Sequence, residues 1–323
     1  MDFLNNISRD TLFLVTGGAG FIGSNIVETL ISLGFKVRVL DNFSTGKRTN
    51  LQDFINNDRF ELIEGDIRSE ETCFKSCEGV TYVLHQGALG SVPRSVKDPI
   101  TSHNVNATGT LNMLWAAKES GVKRFVYASS SSVYGDNPDL PKIESNLGNV
   151  LSPYAATKLS NEHYARLFYE LYGFETVGLR YFNVFGKHQD PHSVYAAVIP
   201  IFLKQLLAGE SPLIHGDGEQ SRDFTYIKNV IQANLRACIA SSDACGRAYN
   251  ISCGDRTSLN ELYSVLTDNL GIDIKPTYGP PRAGDIKHSQ ADISLSVKYL
   301  AYKPEIRFAQ GIALTIDWYK ANL

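Results

Sequence analysis

The chain is expected to fold as an α/β protein on a doubly wound parallel sheet, with a smaller C-terminal α+β lobe that holds substrate. Three observations lead there. Short apolar runs alternate with helical patterns through the first half of the chain. A glycine-rich turn follows the first of those runs directly, in the order strand, turn, helix. Beyond about residue 181 the alternation breaks, and Gly and Pro become frequent at Gly216, Gly218, Pro276, Pro280 and Pro281.

The strand candidates are Thr11–Thr16, Lys36–Leu40, Phe60–Ile63, Thr81–Leu84, Arg124–Ala128 and Thr176–Leu179. Between them helical patterns occupy Gly20–Leu33, Leu51–Asn56, Glu70–Ser76, Asn106–Ser120 and Pro153–Tyr172. Sequential units of this length favour right-handed crossovers, with a ligand crevice at the carboxyl ends of the strands. Later, Asn229–Ala240 and Ala248–Ile251 can return one helix and one strand to the larger unit. With 323 residues the chain can build both units. The expected division is 1–183 plus about 224–252 for a nucleotide-binding domain, and about 184–223 plus 253–323 for the smaller lobe.

Composition narrows the partners. The net charge of −3 gives no bulk basic surface for nucleic acid, so an anionic substrate needs locally placed Arg or Lys. The N-terminus, MDFLNNISRD, lacks the basic start and apolar stretch of a signal peptide, and no apolar run is long enough to span a membrane. The expected compartment is the cytoplasm. Cys73, Cys77, Cys238, Cys245 and Cys253 form no paired CxxC clusters and are expected to be free and reduced.

The first strand empties into TGGAGFIGS, where Gly17, Gly20 and Gly23 are spaced GxxGxxG, and Gly18, Gly20 and Gly23 also satisfy GxGxxG. Such a turn needs glycine because a pyrophosphate must approach the amides that open the next helix. Phe21 and Ile22, between those glycines, belong to the same candidate set. An acid, Asp41, ends the next strand, placed to accept both ribose hydroxyls of an adenosine. This context points to a Rossmann-type dinucleotide domain. Neutral Asn42 after Asp41 favours NAD over NADP, although Lys47 and Arg48 lie nearby. Asp66 and Ile67, after the third strand, are placed to flank the adenine. Gln86 and Tyr181, at later strand ends, complete the cofactor set.

In SPYAATK, Tyr154 and Lys158 stand four residues apart in a helical pattern and project from one face. A phenol titrates near 10, too high for a base at neutral pH. A neighbouring ammonium and a positive nicotinamide ring would both favour phenolate. Upstream, the strand ending at Ala128 leads into Ser129, Ser130, Ser131 and Ser132 and then VYG. A serine hydroxyl at that strand end can share the proton with Tyr154.

Together TGGAGFIGS, LDNFSTG, SSSSVYG, YAATK and RYFNVFG resemble the extended short-chain dehydrogenase/reductases, and HGDGEQSRDFTYI and RAGD extend the match over nearly the whole chain. Within that family, HQGALGSVPRS, LSPYA and YAAVIP are especially similar to bacterial UDP-N-acetylglucosamine 4-epimerases of surface-polysaccharide synthesis. The resemblance implies that Ser130, Tyr154 and Lys158 are catalytic, with Tyr154 the base and Lys158 its ribose-binding partner. It implies that Asn106 organises the active-site helix at the cofactor. Asn183, Arg222, Arg282 and Asp285 match residues that hold UDP, the arginines on the diphosphate. Gly90, Ser91, Ser131, Ser132, Ala197, Val198 and Ser289 fall at the sugar. A 4-epimerase of this kind keeps NAD tightly bound and does not consume it. The helices Asn106–Ser120 and Pro153–Tyr172 correspond to the family's homodimer interface.

The same scaffold hosts dehydratases and decarboxylases. By resemblance those need a carboxyl group near the positions of Ser131 and Ser132, and neither serine supplies one. Ser289 is small where a bulky Tyr suits unmodified hexoses, which favours a UDP-N-acetylhexosamine; the corresponding uronic acids and UDP-glucose or UDP-galactose stay open. Relatives usually carry Ala where this chain has Gly87. His188 and His192 have a helical metal-ligand spacing, but a proline between them points to a loop, and no metal site is expected. His85, at a strand end, is read as positional.

Overall fold

The computed structural model describes residues 1–191, 196–281 and 287–322. One sheet holds β1 (Leu12–Thr16), β2 (Lys36–Asp41), β3 (Phe60–Glu64), β4 (Tyr82–His85), β5 (Arg124–Ser130), β6 (Glu175–Tyr181) and β7 (Arg247–Ile251). Its spatial order is β3-β2-β1-β4-β5-β6-β7, and every neighbouring pair is parallel. The chain runs outward from β1 to one edge, returns to β4 and then builds to the other edge. That reversal opens a crevice above the ends of β1 and β4.

Alternation along β1 divides the core. Phe13 and Val15 pack with Ile26, Val27 and Leu30 of α1 (Phe21–Ser32). Leu14 turns to the opposite layer, with Cys73 and Cys77 of α2 (Glu70–Cys77) and Met113 and Leu114 of α3 (Gly109–Glu119). Ala165 and Phe168 of α4 (Pro153–Tyr172) join that second layer. A strand covered on both faces therefore reads as an unbroken apolar run. Each such side chain, fully buried, contributes about 1.5–3 kcal/mol.

Helix α4 carries local start and stop signals. The Ser152 hydroxyl accepts the Ala155 N–H at 3.1 Å, Pro153 follows it, and Gly173 ends the helix at φ 64°. Two expectations need correction. Leu51–Asn56 is not an α-helix but part of two 3-10 turns, Arg48–Asn50 and Gln52–Phe54. In the first of these turns the Asn50 amide donates to the Ala19 carbonyl at 2.9 Å, which ties the segment to the β1–α1 turn. The helix expected from Asn106 begins earlier, at Pro99–His103, and passes through a π-turn at Asn104–Thr108 before α3.

After β6 the strands shorten. Val184–Phe185 pairs with Thr225–Tyr226, Ser221–Arg222 with Thr257–Ser258, and Leu213–His215 with Thr277–Gly279. With α5 (Val198–Leu207), α7 (Leu259–Leu270) and α8 (Phe308–Asn322) they make the smaller α+β layer. Between those segments α6 (Ile227–Ile239) and β7 rejoin the large sheet, where β7 pairs with β6. All five cysteines are buried and unpaired, and burial pushes the Cys73 and Cys77 thiols up to about 12. Among the described residues no helix is long and apolar enough to cross a membrane.

Candidate active site

The crevice at the sheet's reversal is lined by Gly17, Gly20, Phe21, Ile22 and Gly23 at its centre. Asp41, Asn42, Asp66 and Ile67 line it on the β2–β3 side, and Gln86, Tyr154, Lys158 and Tyr181 on the β4–β6 side. Gly17 has φ 66°, and a Cβ on Gly23 would stand 2.1 Å from the Gly17 carbonyl oxygen. No side-chain bond caps α1 at Gly20, so the amides at its N-terminus stay open to an anion.

Asp41 accepts the Ala19 N–H on one carboxylate oxygen and the Phe43 N–H on the other, each at 2.8 Å. Burial raises its pKa while those two bonds oppose the rise. Each oxygen keeps a second acceptor site, which suits a ribose diol. The nearby cations are committed: Lys47 pairs with Asp190 at 3.0 Å and Arg48 with Glu64 at 2.6 Å, and the Arg48 guanidinium lies over the Phe43 ring. A carboxylate with no free cation beside it fits the 2′-hydroxyl of NAD rather than a 2′-phosphate. Asp66, held down to about 2 chiefly by the Arg68 fork, accepts from the Asn42 amide at 2.7 Å and so stiffens the adenosine end.

At the other end, Lys158 donates to the Ala128 carbonyl at 2.8 Å, and the Tyr154 phenol faces Ser130, whose hydroxyl favours the phenolate. Ser130 Oγ also accepts from the Ser132 amide at 3.1 Å and from the Ser132 hydroxyl at 2.9 Å. Burial pushes Lys158 down to about 8, opposed by Glu162. Burial also pushes the Tyr154 phenol up, opposed by the Ser130 hydroxyl. Among the protein's own groups desolvation is thus the largest influence on the phenol. The positive nicotinamide ring is the remaining charge that can bring the phenol down.

Asn106 also needs correction as a cofactor-lining residue. It is fully buried below the crevice, where its amide oxygen accepts the Leu89 N–H at 2.7 Å and its amide nitrogen donates to the Leu89 carbonyl at 3.1 Å. It thus clamps the 86–90 loop, which lines the crevice and includes Gly90. Ser91 ends that loop at φ 106°, and its hydroxyl accepts the Arg94 N–H at 3.2 Å as a helix cap. Ser131 opens the 3-10 turn that follows β5. His85 joins Thr16 at 2.8 Å and Thr110 at 3.0 Å, and burial pushes it down to about 3, so the ring stays neutral.

A second cavity, of about 310 Å3, lies in the smaller layer and gathers Asn183, Ala197, Val198 and Arg222. Phe202, His215 and Gln220 line it too, and no spacing in the sequence singled them out. The Arg222 guanidinium donates to the Ser221 carbonyl at 3.0 Å. Ser289 borders neither cavity wall; its N–H donates to the same Ser221 carbonyl at 3.0 Å, which ties its segment beside Arg222. Arg282, Asp285 and His192 lie outside the described residues. His188 meets Ser24 at 2.8 Å and the Trp318 ring, and no cluster of metal-ligating side chains occurs among the described residues.

The family model "NAD dependent epimerase/dehydratase family" matches residues 13–252. The chain belongs to this family. A putative UDP-glucose 4-epimerase of Methanocaldococcus jannaschii is 39% identical over 313 residues, 96% of this chain and 99% of that one. A solved UDP-N-acetylglucosamine 4-epimerase from Methanobrevibacter ruminantium, in complex with UDP-N-acetylmuramic acid, superposes with a TM-score of 0.93 at 41% identity. It covers 98% of this chain and 100% of the other. The UDP-glucose 4-epimerase of Thermotoga maritima, solved with UDP-glucose, gives 0.90 at 36% identity, covering 97% and 99%.

As a member of the epimerase/dehydratase family the chain uses NAD. Two further residues, Glu162 and Arg180, were not marked out by any motif. Ser129 lines the crevice, and its hydroxyl donates to Glu162 at 2.5 Å. A signal was present: Glu162 follows Lys158 by the same four residues that separate Lys158 from Tyr154.

Proposed function

We propose that this epimerase/dehydratase is a UDP-sugar 4-epimerase that interconverts UDP-N-acetylglucosamine and UDP-N-acetylgalactosamine in the cytoplasm, with NAD retained throughout. One observation carries the reading. Tyr154, Ser130 and Lys158 meet at the end of β5, and the neighbouring Ser132 hydroxyl is spent supporting Ser130 rather than replaced by an acid. A dehydratase or decarboxylase needs a carboxyl group there.

Bound NAD supplies reversible hydride chemistry at C4 of the sugar. Tyr154 takes the proton of the C4 hydroxyl and later returns it. Ser130 holds O4 between these events, and Lys158 keeps a positive charge beside the phenol. The sugar, as its 4-keto form, turns about its diphosphate link and presents its other face to the same side chains. Arg222, with Asn183 beside it in the second cavity, anchors the UDP portion during that turn. In this division residues 1–183 and about 224–252 hold NAD, and the remainder holds the nucleotide sugar.

The N-acetyl preference is supported by small side chains at Ala196 and Ala197 on the cavity wall and by likeness to the M. ruminantium enzyme. The relatives described as UDP-glucose 4-epimerases make UDP-glucose and UDP-galactose the second reading. Incubation with UDP-N-acetylglucosamine and no added NAD, followed by NMR, is expected to give UDP-N-acetylgalactosamine at an equilibrium mixture. A 4-keto-6-deoxy product would mark a dehydratase instead. The kcat/KM for the acetylated pair is expected to exceed that for UDP-glucose and UDP-galactose; equal or lower values overturn the preference.

A homodimer through α3 and α4 belongs to the same reading. Trp115, Tyr164, Leu167, Leu171 and Tyr172 leave an exposed apolar groove along those helices. Light scattering at micromolar concentration is expected to give twice the chain mass, and a clean monomer mass refutes the dimer.

A further inference from the structure

The catalytic helix carries a third inward-facing group beyond Tyr154 and Lys158. Tyr154, Lys158 and Glu162 follow one another at four-residue steps and form one stripe along α4. The stripe grips three consecutive residues at the end of β5. Tyr154 faces Ser130, Lys158 donates to the Ala128 carbonyl at 2.8 Å, and Glu162 accepts from the Ser129 hydroxyl at 2.5 Å.

Glu162 is itself locked from the next strand. Arg180 of β6 donates through Nε to one carboxylate oxygen at 2.9 Å and through Nη2 to the other at 2.7 Å. Both side chains are buried, at 5% and 9% exposure, so this fork is shielded from water. The remaining guanidinium nitrogen of Arg180 donates to the Tyr134 hydroxyl and to the Glu144 carbonyl, each at 3.0 Å. The Tyr134 hydroxyl donates in turn to Asn250 at 2.6 Å, and the Asn250 amide donates to the Asp292 carbonyl at 2.9 Å. Buried hydrogen bonds therefore run from the catalytic helix to the segment that carries Ser289.

We propose that Glu162, fixed by Arg180, is a positioning residue of the reaction centre that registers α4 on the strand end carrying Ser130. The proposal deepens the acid–base reading above and rests on it. Both partners of the fork are needed. A carboxylate set loosely would let the Ser129–Ser130 corner drift away from Tyr154, and positioning errors of this kind lower turnover more than binding. Glu162 also faces Lys158 electrostatically. The groups around that ammonium are the Tyr154 phenol and Glu162 on α4, the neutral His85 ring on β4, and Arg180 on β6 beyond Glu162. Of these, Glu162 is the one whose charge opposes loss of the Lys158 proton.

The test is the pH profile of kcat/KM for UDP-sugar epimerisation in Glu162→Gln and in the double variant Glu162→Gln/Arg180→Met. The double variant leaves no uncompensated buried cation, so it keeps the test open should the single change fail to fold. In the parent the alkaline limb is expected near the Lys158 value of about 8, since activity falls as the ammonium is lost. In Glu162→Gln the limb is expected about one unit lower. In the double variant, which removes a negative and a positive charge together, it is expected near the parent's. Both variants are expected to show a lower kcat with a KM within about threefold of the parent. An unmoved limb in folded Glu162→Gln, or a parental kcat in either folded variant, overturns the proposal. Loss of folding in both, read by circular dichroism, reduces the pair to a structural role and overturns it as well. An inactive parent, assayed alongside, would instead refute the epimerase reading.

Discussion

Tyr154→Phe is expected to lower kcat by about a thousandfold or more while leaving NAD bound and the fold intact. The substitution removes one oxygen, the atom that exchanges the C4 proton, and general acid–base contributions of this kind are worth about 10²–10⁴-fold. Nothing in the packing opposes it, because the ring stays the same size and the α4 start is held by Ser152 and Pro153. Lys158 keeps its bond to Ala128 as well. The measurement is single-turnover and steady-state epimerisation beside the NAD released on denaturation. Wild-type turnover in this variant would remove Tyr154 from the chemistry and with it the proposed mechanism.

Gly23→Ala is expected to be the most damaging single methyl group in the cofactor crevice. Its Cβ would lie 2.1 Å from the Gly17 carbonyl oxygen and 2.8 Å from the Gly18 Cα. Both are backbone atoms, so no rotamer change relieves the overlap, and the β1–α1 turn must open. Overpacking of this type costs about 1–3 kcal/mol, and the turn that opens is the one that presents the α1 amides to a pyrophosphate. The purified variant is expected to lose its NAD and to melt several degrees lower. Gly87→Ala is the matched control. There the closest approach of the added Cβ is 3.1 Å, to the Thr16 hydroxyl, a far milder contact than the backbone overlap at Gly23. Retained NAD in Gly23→Ala, or loss of it in Gly87→Ala alone, contradicts this account of the turn.

Much of the site was readable before any coordinates because its determinants are local. A positive φ at Gly17 and a close backbone approach at Gly23 demand glycine wherever the chain goes next. Helical periodicity puts Tyr154 and Lys158 on one face from their spacing alone. Asp41 could be found because a β-strand ends in a defined direction. The helix expected at Leu51–Asn56 gave way to 3-10 turns, the first of them tied through Asn50 to Ala19.

What the sequence by itself determined is the parallel α/β sheet, the dinucleotide turn and the Tyr154–Lys158 pair, since each follows from periodicity or steric limits within a few residues. The tertiary structure decided the rest. It bound the Asn106 amide to the Leu89 backbone and buried the Tyr154 phenol, and that burial favours its neutral form. It also paired Glu162 with Arg180 on the next strand and gathered Asn183, Ala197, Val198 and Arg222 around one cavity. Burial, ion pairing and cavity shape depend on which distant segments are packed together, and no single window of the chain contains both sides of such a contact.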